Sequence, residues 1–150
     1  MDYGLCLPNF REGASREGME AAAETAERLG WSAVWTTDHI LVANADADDY
    51  GRIFEAILSL TWIGARYSKV RLGTSVLVVP QRNAVVLAKE LATLDSLSRG
   101  RVTAGVGVGW NEIEFGNLGV ADRMRVRGAR RQPRQRPWRP RPGAVQTSGP

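Results

Sequence analysis

The chain has one cysteine and one histidine in 150 residues, and each scarcity excludes some chemistry. A lone cysteine, Cys6, cannot build a disulfide framework and fits a reducing compartment. One Cys and one His cannot supply a zinc cluster, and no Gly-Lys-Ser/Thr phosphate loop is present, so no metal site is expected. No apolar run approaches the roughly 18 residues of a membrane span. The start, MDYGLCLPNF, lacks the basic stretch and long apolar core of a secretory signal. These absences predict a cytoplasmic protein with no membrane partner. Cys6 sits in the first apolar run, where burial in the core is expected over a role as nucleophile or ligand.

Lysine and acid are absent from the end of the chain. Residues 1–122 hold 11 Lys and Arg against 16 Asp and Glu, whereas residues 123–150 hold nine Arg, no Lys and no acid. The overall +4 therefore combines a balance of −5 with one of +9. Five of the seven prolines also fall in the last stretch. Two kinds of polypeptide meet near Asp122.

What is present before that point is regular. Tyr3–Pro8 reads as strand one. Ser15 is a candidate N-cap for a helix with Met19, Ala22, Ala23, Ala26 and Leu29 inward, closed by Gly30. Ser32–Thr36 is strand two, and Ile53 to Tyr67 is helix two, with Ile53, Ile57, Leu60 and Ile63 or Gly64 along one stripe. From Val70 to Phe115 the pattern is strand, turn, helix, turn, strand. The apolar run Val76–Val79 ends at Pro80, Ala84, Leu87, Ala88, Leu91, Leu94 and Leu97 recur at helical spacing, and Val102–Val108 is rich in β-branched residues. Strands separated by helices predict a parallel sheet with right-handed crossovers. Functional loops in such proteins follow the C-terminal strand ends, here near Pro80 and Gly109.

Three stretches of that segment, RLGTSVLVVP, LAKELATLDSLSRGR and GVGVGWNEIEF, resemble the luciferase-like family of flavin- or deazaflavin-dependent oxidoreductases. The resemblance is greatest to bacterial members that use coenzyme F-420. It extends upstream through GLCLPNF and GWSAVWTTDHI and covers about residues 1 to 120. Members are (β/α)8 barrels of roughly twice this length. The expected fold is therefore α/β: the N-terminal portion of a (β/α)8 TIM barrel over residues 1–121, with about four strands and three helices, then a disordered basic tail over 122–150. The implied activity is hydride transfer or monooxygenation of a small-molecule substrate at the barrel's C-terminal face. The implied cofactor is F-420, with FMN as the alternative. In the family, groups from the second half of the barrel grip the cofactor's phosphate tail.

Asp38-His39 follows strand two on the face where barrels place catalytic groups, and a neutral imidazole can donate or accept a proton. The resemblance implies that His39 lies beside the deazaflavin ring as a catalytic group, with Asp38 at the cofactor. The plainer alternative is a histidine that caps strand two by hydrogen bonds to a loop. For Thr74-Ser75-Val76 the resemblance implies a bulge with a non-proline cis peptide at Ser75–Val76, backing the ring; an ordinary buried strand is the alternative. Gly105, Gly107 and Gly109 alternate, which lets a ligand ring or a neighbouring backbone approach one face. They are not a dinucleotide fingerprint, because Trp110 stands where the third Gly is needed. Several F-420 dehydrogenases place a Glu general acid at that point. Trp110 in its place argues against their sugar-phosphate or alcohol dehydrogenase chemistry. Gly107 and Asn111 are expected at the cofactor ring, and Glu112 and Glu114 are expected as helix-start charges.

Asp46, Asp48 and Asp49 lack EF-hand spacing and read as a solvated acidic loop. The tail cannot bury enough surface to offset its conformational entropy and is expected to be disordered. Nine Arg without Lys, among Pro, Gly and Ala, is what GC-rich DNA gives out of frame, so a frame change or truncation near Gly119–Asp122 is the leading expectation. An open half barrel would leave strand edges unpaired, which predicts weak or no activity and self-association into a homo-oligomer. A decayed, non-catalytic fragment is the runner-up. A nucleic-acid role for the tail, with Trp138 stacking, is disfavoured, because no folded recognition module accompanies it.

Overall fold

The computed structural model describes residues 2–42 and 50–120. Asp46, Asp48, Asp49 and the Arg-rich tail with Trp138 lie outside the described residues. The elements run β1 (Gly4–Cys6), α1 (Arg16–Arg28), β2 (Ala33–Thr36), α2 (Ala56–Arg66), β3 (Arg71–Val78), α3 (Ala84–Leu97), β4 (Val102–Gly107) and α4 (Glu112–Asn117), with a 3-10 turn at Val79–Gln81 after β3. The strands form one parallel sheet in the order β1-β2-β3-β4. Each strand thus neighbours the next in sequence, which is the winding of a barrel and not of a sheet that reverses direction.

Strand alternation sorts the side chains. Leu72 of β3 and Val34 of β2 are register partners, and both enter a core shared with Met19, Ala23 and Ala26 of α1, with Ile57, Leu60 and Ile63 of α2, and with Leu87 and Leu94 of α3. The opposite face carries Cys6, Trp35 and Gly73, which are also register partners. The Trp35 indole lies across Gly4 and Gly73; a Cβ on these glycines would come within 2.5 and 2.2 Å of it. Cys6 is exposed on this face, contrary to the expectation of burial. The apolar run around it alternates, and only Leu5 and Leu7 join the core side.

The helix boundaries follow local hydrogen bonding. Ser15 Oγ accepts from Gly18 N at 3.0 Å, and Gly30, at φ +70, ends α1 as expected. Helix α2 begins at Ala56 and not at Ile53. Glu55 caps it by accepting from Leu58 N at 2.6 Å, while Ile53 forms an antiparallel bridge to Phe10. Asn83 Oδ1 caps α3 by accepting from Val85 and Val86 N. Leu29 and Leu97, expected inward, are 51% and 75% exposed, because both sit at helix ends beyond the sheet. Among the described residues, no helix is long and apolar enough to cross a membrane.

Candidate active site

The C-terminal ends of β1, β2 and β4 are each followed by a buried polar side chain that fastens a loop. After β1, Asn9 is fully buried. Its Oδ1 accepts from Thr37 N at 3.1 Å, and its Nδ2 donates to the carbonyls of Thr37 and Phe54 at 2.8 and 3.1 Å. After β2, Asp38 accepts from Val78 N at 2.9 Å through Oδ2 and from Arg82 Nη2 through Oδ1. The same Arg82 nitrogen lies 2.9 Å from Glu55 Oε1, so one guanidinium joins the loops after β2 and β3 to the start of α2. Asp38 is thus a buried support beneath the site, with both oxygens engaged.

The third side chain is Glu114, which is fully buried and is not a solvated helix-start charge. Asn111 caps α4 by accepting from Glu114 N at 3.1 Å, which sets the first turn so that the Glu114 carboxylate enters the loop after β2. There Oε1 accepts from Ile40 N at 2.6 Å and from Leu41 N at 3.0 Å, while Oε2 lies 2.8 Å from His39 Nδ1. Burial pushes this carboxyl up. The hydrogen bonds from His39, Ile40 and Leu41, with the charge of His39, outweigh burial, so the net direction is below the ordinary value. His39 is 8% exposed, with the Tyr50 ring 4.4 Å and the Trp110 ring 5.8 Å from its own centroid. Trp110 itself is 60% exposed. Sequence reasoning missed Glu114 and Asn9. The spacing of Asn111 to Glu114 was a capping signal, but nothing local marks its carboxylate as buried against a residue 75 positions away.

The Ser75–Val76 peptide bond is cis, and the β3–β4 register shifts between Thr74 and Leu77. Ser75 and Val76 are exposed, whereas Thr74 is buried and donates through its hydroxyl to Gly105 O at 2.8 Å. The alternating glycines explain how the bulge is accommodated. A Cβ on Gly105 would lie 2.2 Å from Thr74 O, and one on Gly107 would lie 2.7 Å from a Val76 methyl. Of the two close approaches open to such glycines, the neighbouring backbone is the one observed. Gly109, at φ +74, is pressed between Val78 and Phe115. At the C-terminal strand ends Ser75, Val76 and Trp110 are therefore exposed and Gly107 is half-buried, while Thr74, Asp38, His39 and Asn111 are buried. Two depressions of about 400 and 410 Å³ lie elsewhere, along the outer faces of the helices. Among the described residues no group of three His, Cys, Asp or Glu could hold a metal ion.

A family model described as luciferase-like monooxygenase matches residues 1–136, past the composition break at 122. An uncharacterised protein of Mycobacterium tuberculosis is 35% identical over 133 residues, covering 80% of this chain and 46% of that protein. An F420-dependent glucose-6-phosphate dehydrogenase of Kineococcus radiotolerans is 39% identical over 89 residues, 58% of this chain and 25% of that enzyme. The fold is shared with the oxygenating constituent of 3,6-diketocamphane monooxygenase from Pseudomonas putida, solved with FMN. The TM-score is 0.67 at 18% identity, over 83% of this chain and 34% of that one. The chain spans less than half the length of each of these proteins.

Proposed function

The chain belongs to the luciferase-like monooxygenase family, and on that premise we propose that its C-terminal strand ends receive the ring of a deazaflavin or flavin for hydride transfer or monooxygenation of a small-molecule substrate. The observation that carries this reading is the β3 bulge between Thr74 and Leu77, where Ser75 and Val76 are exposed and the facing Gly105 and Gly107 cannot accept a Cβ. The residues present fit such a ring. Val76, 42% exposed, offers an apolar platform to one ring face, and the exposed Ser75 offers a hydroxyl at its edge. F-420 is favoured by the naming of the Kineococcus relative and FMN remains the alternative, supported by the Pseudomonas neighbour.

When bound, the ring supplies the centre that takes up a hydride or reacts with oxygen. This chain's own residues do the rest. Val76 keeps water from one ring face. His39, held beside the surface, gives or takes the proton that accompanies the substrate's change. Asp38 and Arg82 keep the loops after β2 and β3 in register. On this reading the exposed Trp110 covers substrate, and its indole is no substitute for a general acid.

These residues serve the ring end only. The phosphate tail would be gripped by groups from the other half of a barrel, so we expect weak activity from this length of chain alone and self-association through its open sheet edges. The exposed, unpaired Cys6 supports a reducing, cytoplasmic setting. A second reading, a decayed fragment, is favoured by the change in charge balance from −5 to +9 at residue 122. Fluorescence titration of the purified chain with F-420 and with FMN tests the reading. Binding of F-420 weaker than micromolar, and lost on Val76→Asp, is expected. Sub-micromolar binding by a monomer would contradict the weak-activity reading, and binding unchanged by Val76→Asp would contradict the ring site.

A further inference from the structure

We propose that Glu114 is a positioning residue: its carboxylate fixes the neutral His39 ring as the Nδ1–H tautomer and leaves Nε2 as the proton acceptor of the site. The functional half of this statement rests on the ring-binding reading above; the tautomer itself does not.

The Glu114 carboxylate is fully buried, so each of its oxygens needs a hydrogen-bond partner. Oε1 faces two backbone N–H groups, of Ile40 and Leu41, which can only donate. That oxygen must therefore accept. Oε2 meets His39 Nδ1 at 2.8 Å, and two arrangements satisfy the contact: a carboxylate accepting from Nδ1–H, or a carboxylic acid donating to a bare Nδ1. Two N–H donors already directed at the group favour the charged form, and the downward direction of the Glu114 pKa agrees. Among the described residues, the other groups around the ring do not compete for Nδ1. Tyr50 and Trp110 meet His39 through their rings, and Asp38 is turned to Val78 N and Arg82. Because the bonds from Ile40 and Leu41 N hold the backbone directly after His39, the carboxylate sets both the orientation and the proton placement of the ring.

His39 is the only histidine in the chain, so its ring nitrogens give a single set of signals. Long-range 1H–15N correlation spectra of the full, cofactor-free chain, recorded in alkaline buffer, read the tautomer of the neutral ring directly. The wild-type chain is expected to show Nδ1–H. In Glu114→Gln the amide oxygen still accepts from Ile40 and Leu41, but the amide nitrogen now donates to Nδ1, so the ring is expected to switch to Nε2–H. The backbone signals of Ile40 and Leu41 report whether the variant keeps the loop. A wild-type Nε2–H tautomer overturns the proposal, and so does an unchanged Nδ1–H tautomer in a Glu114→Gln chain that retains those two signals. If that variant fails to fold, the wild-type spectrum alone decides. Failure of F-420 or FMN to bind would leave this result standing, so the two readings fail separately.

Discussion

The two ends of the sheet are both fastened by charged side chains, but what those side chains hold differs. At the N-terminal end the Arg101 guanidinium reaches four backbone carbonyls. Arg101 donates to the carbonyls of Gly64, Tyr67, Val70 and Ser98, joining the end of α2, the start of β3 and the end of α3, while Asp95 accepts from Val102 N. At the C-terminal end the fasteners include the carboxylates of Asp38 and Glu114, which accept backbone N–H groups and also hold another side chain, Arg82 in one case and His39 in the other. A cation that fills carbonyls leaves nothing reactive behind. A carboxylate that holds an imidazole sets up a proton-transfer group. The comparison explains why the same task of closing loops produces a scaffold at one end and a candidate site at the other.

Removing Arg101 should have the largest effect on stability and the smallest on the site. Arg101→Ala leaves four carbonyls without their charged donor, and a loss of about 3 kcal/mol in urea unfolding is expected, with the His39 tautomer unchanged. A shifted tautomer would mean that the two ends are not independent. Gly105→Ala should reverse the pattern at a comparable cost of about 3 kcal/mol, because the new Cβ meets a backbone oxygen and not a flexible side chain. Its expected signature is loss of F-420 binding together with altered backbone signals at Ser75 and Val76, and a variant that binds as the wild type does would break the link between glycines and bulge. Asp38→Asn keeps an acceptor for Val78 N but removes the charge facing Arg82, which retains Glu55; about 2 kcal/mol is expected by the same unfolding measurement.

The smallest effect concerns pH. The Glu114 carboxyl is held below its ordinary value in the folded chain, so its contribution to stability is full above the unfolded value of about 4.3 and is lost as pH falls through the lowered one. Wild-type stability should therefore fall more steeply below about pH 4 than that of Glu114→Gln. Equal slopes in the two unfolding series would show that the carboxylate is not held in its charged form.

Periodicity made the sheet and the order of helices legible, because side-chain alternation and helical spacing are local properties. Ser15, Gly30 and the Val76–Pro80 boundary could be read for the same reason. Ser75–Val76 was legible only through resemblance, since nothing in a Ser-Val pair announces a cis bond. Cys6 was misplaced because an apolar run does not say which of two faces is covered. Glu114 was misread because its partners, His39, Ile40 and Leu41, lie more than 70 residues away, and only the docking of the first turn of α4 against the loop after β2 brings the charge indoors. The glycines of β4 pointed to a close approach, but the approaching group, the Thr74 carbonyl, follows from the bulge and not from spacing.

The most direct test of a ring site at one end of the sheet is to map backbone and His39 signals while F-420 is added to the 15N-labelled chain. The account predicts shifts at His39, Ser75, Val76 and Gly107, with Ser98, Arg101 and Val102 unmoved. Shifts confined to the Arg101 end, or to Leu58, Thr61 and Thr93 along the outer groove between α2 and α3, would contradict it.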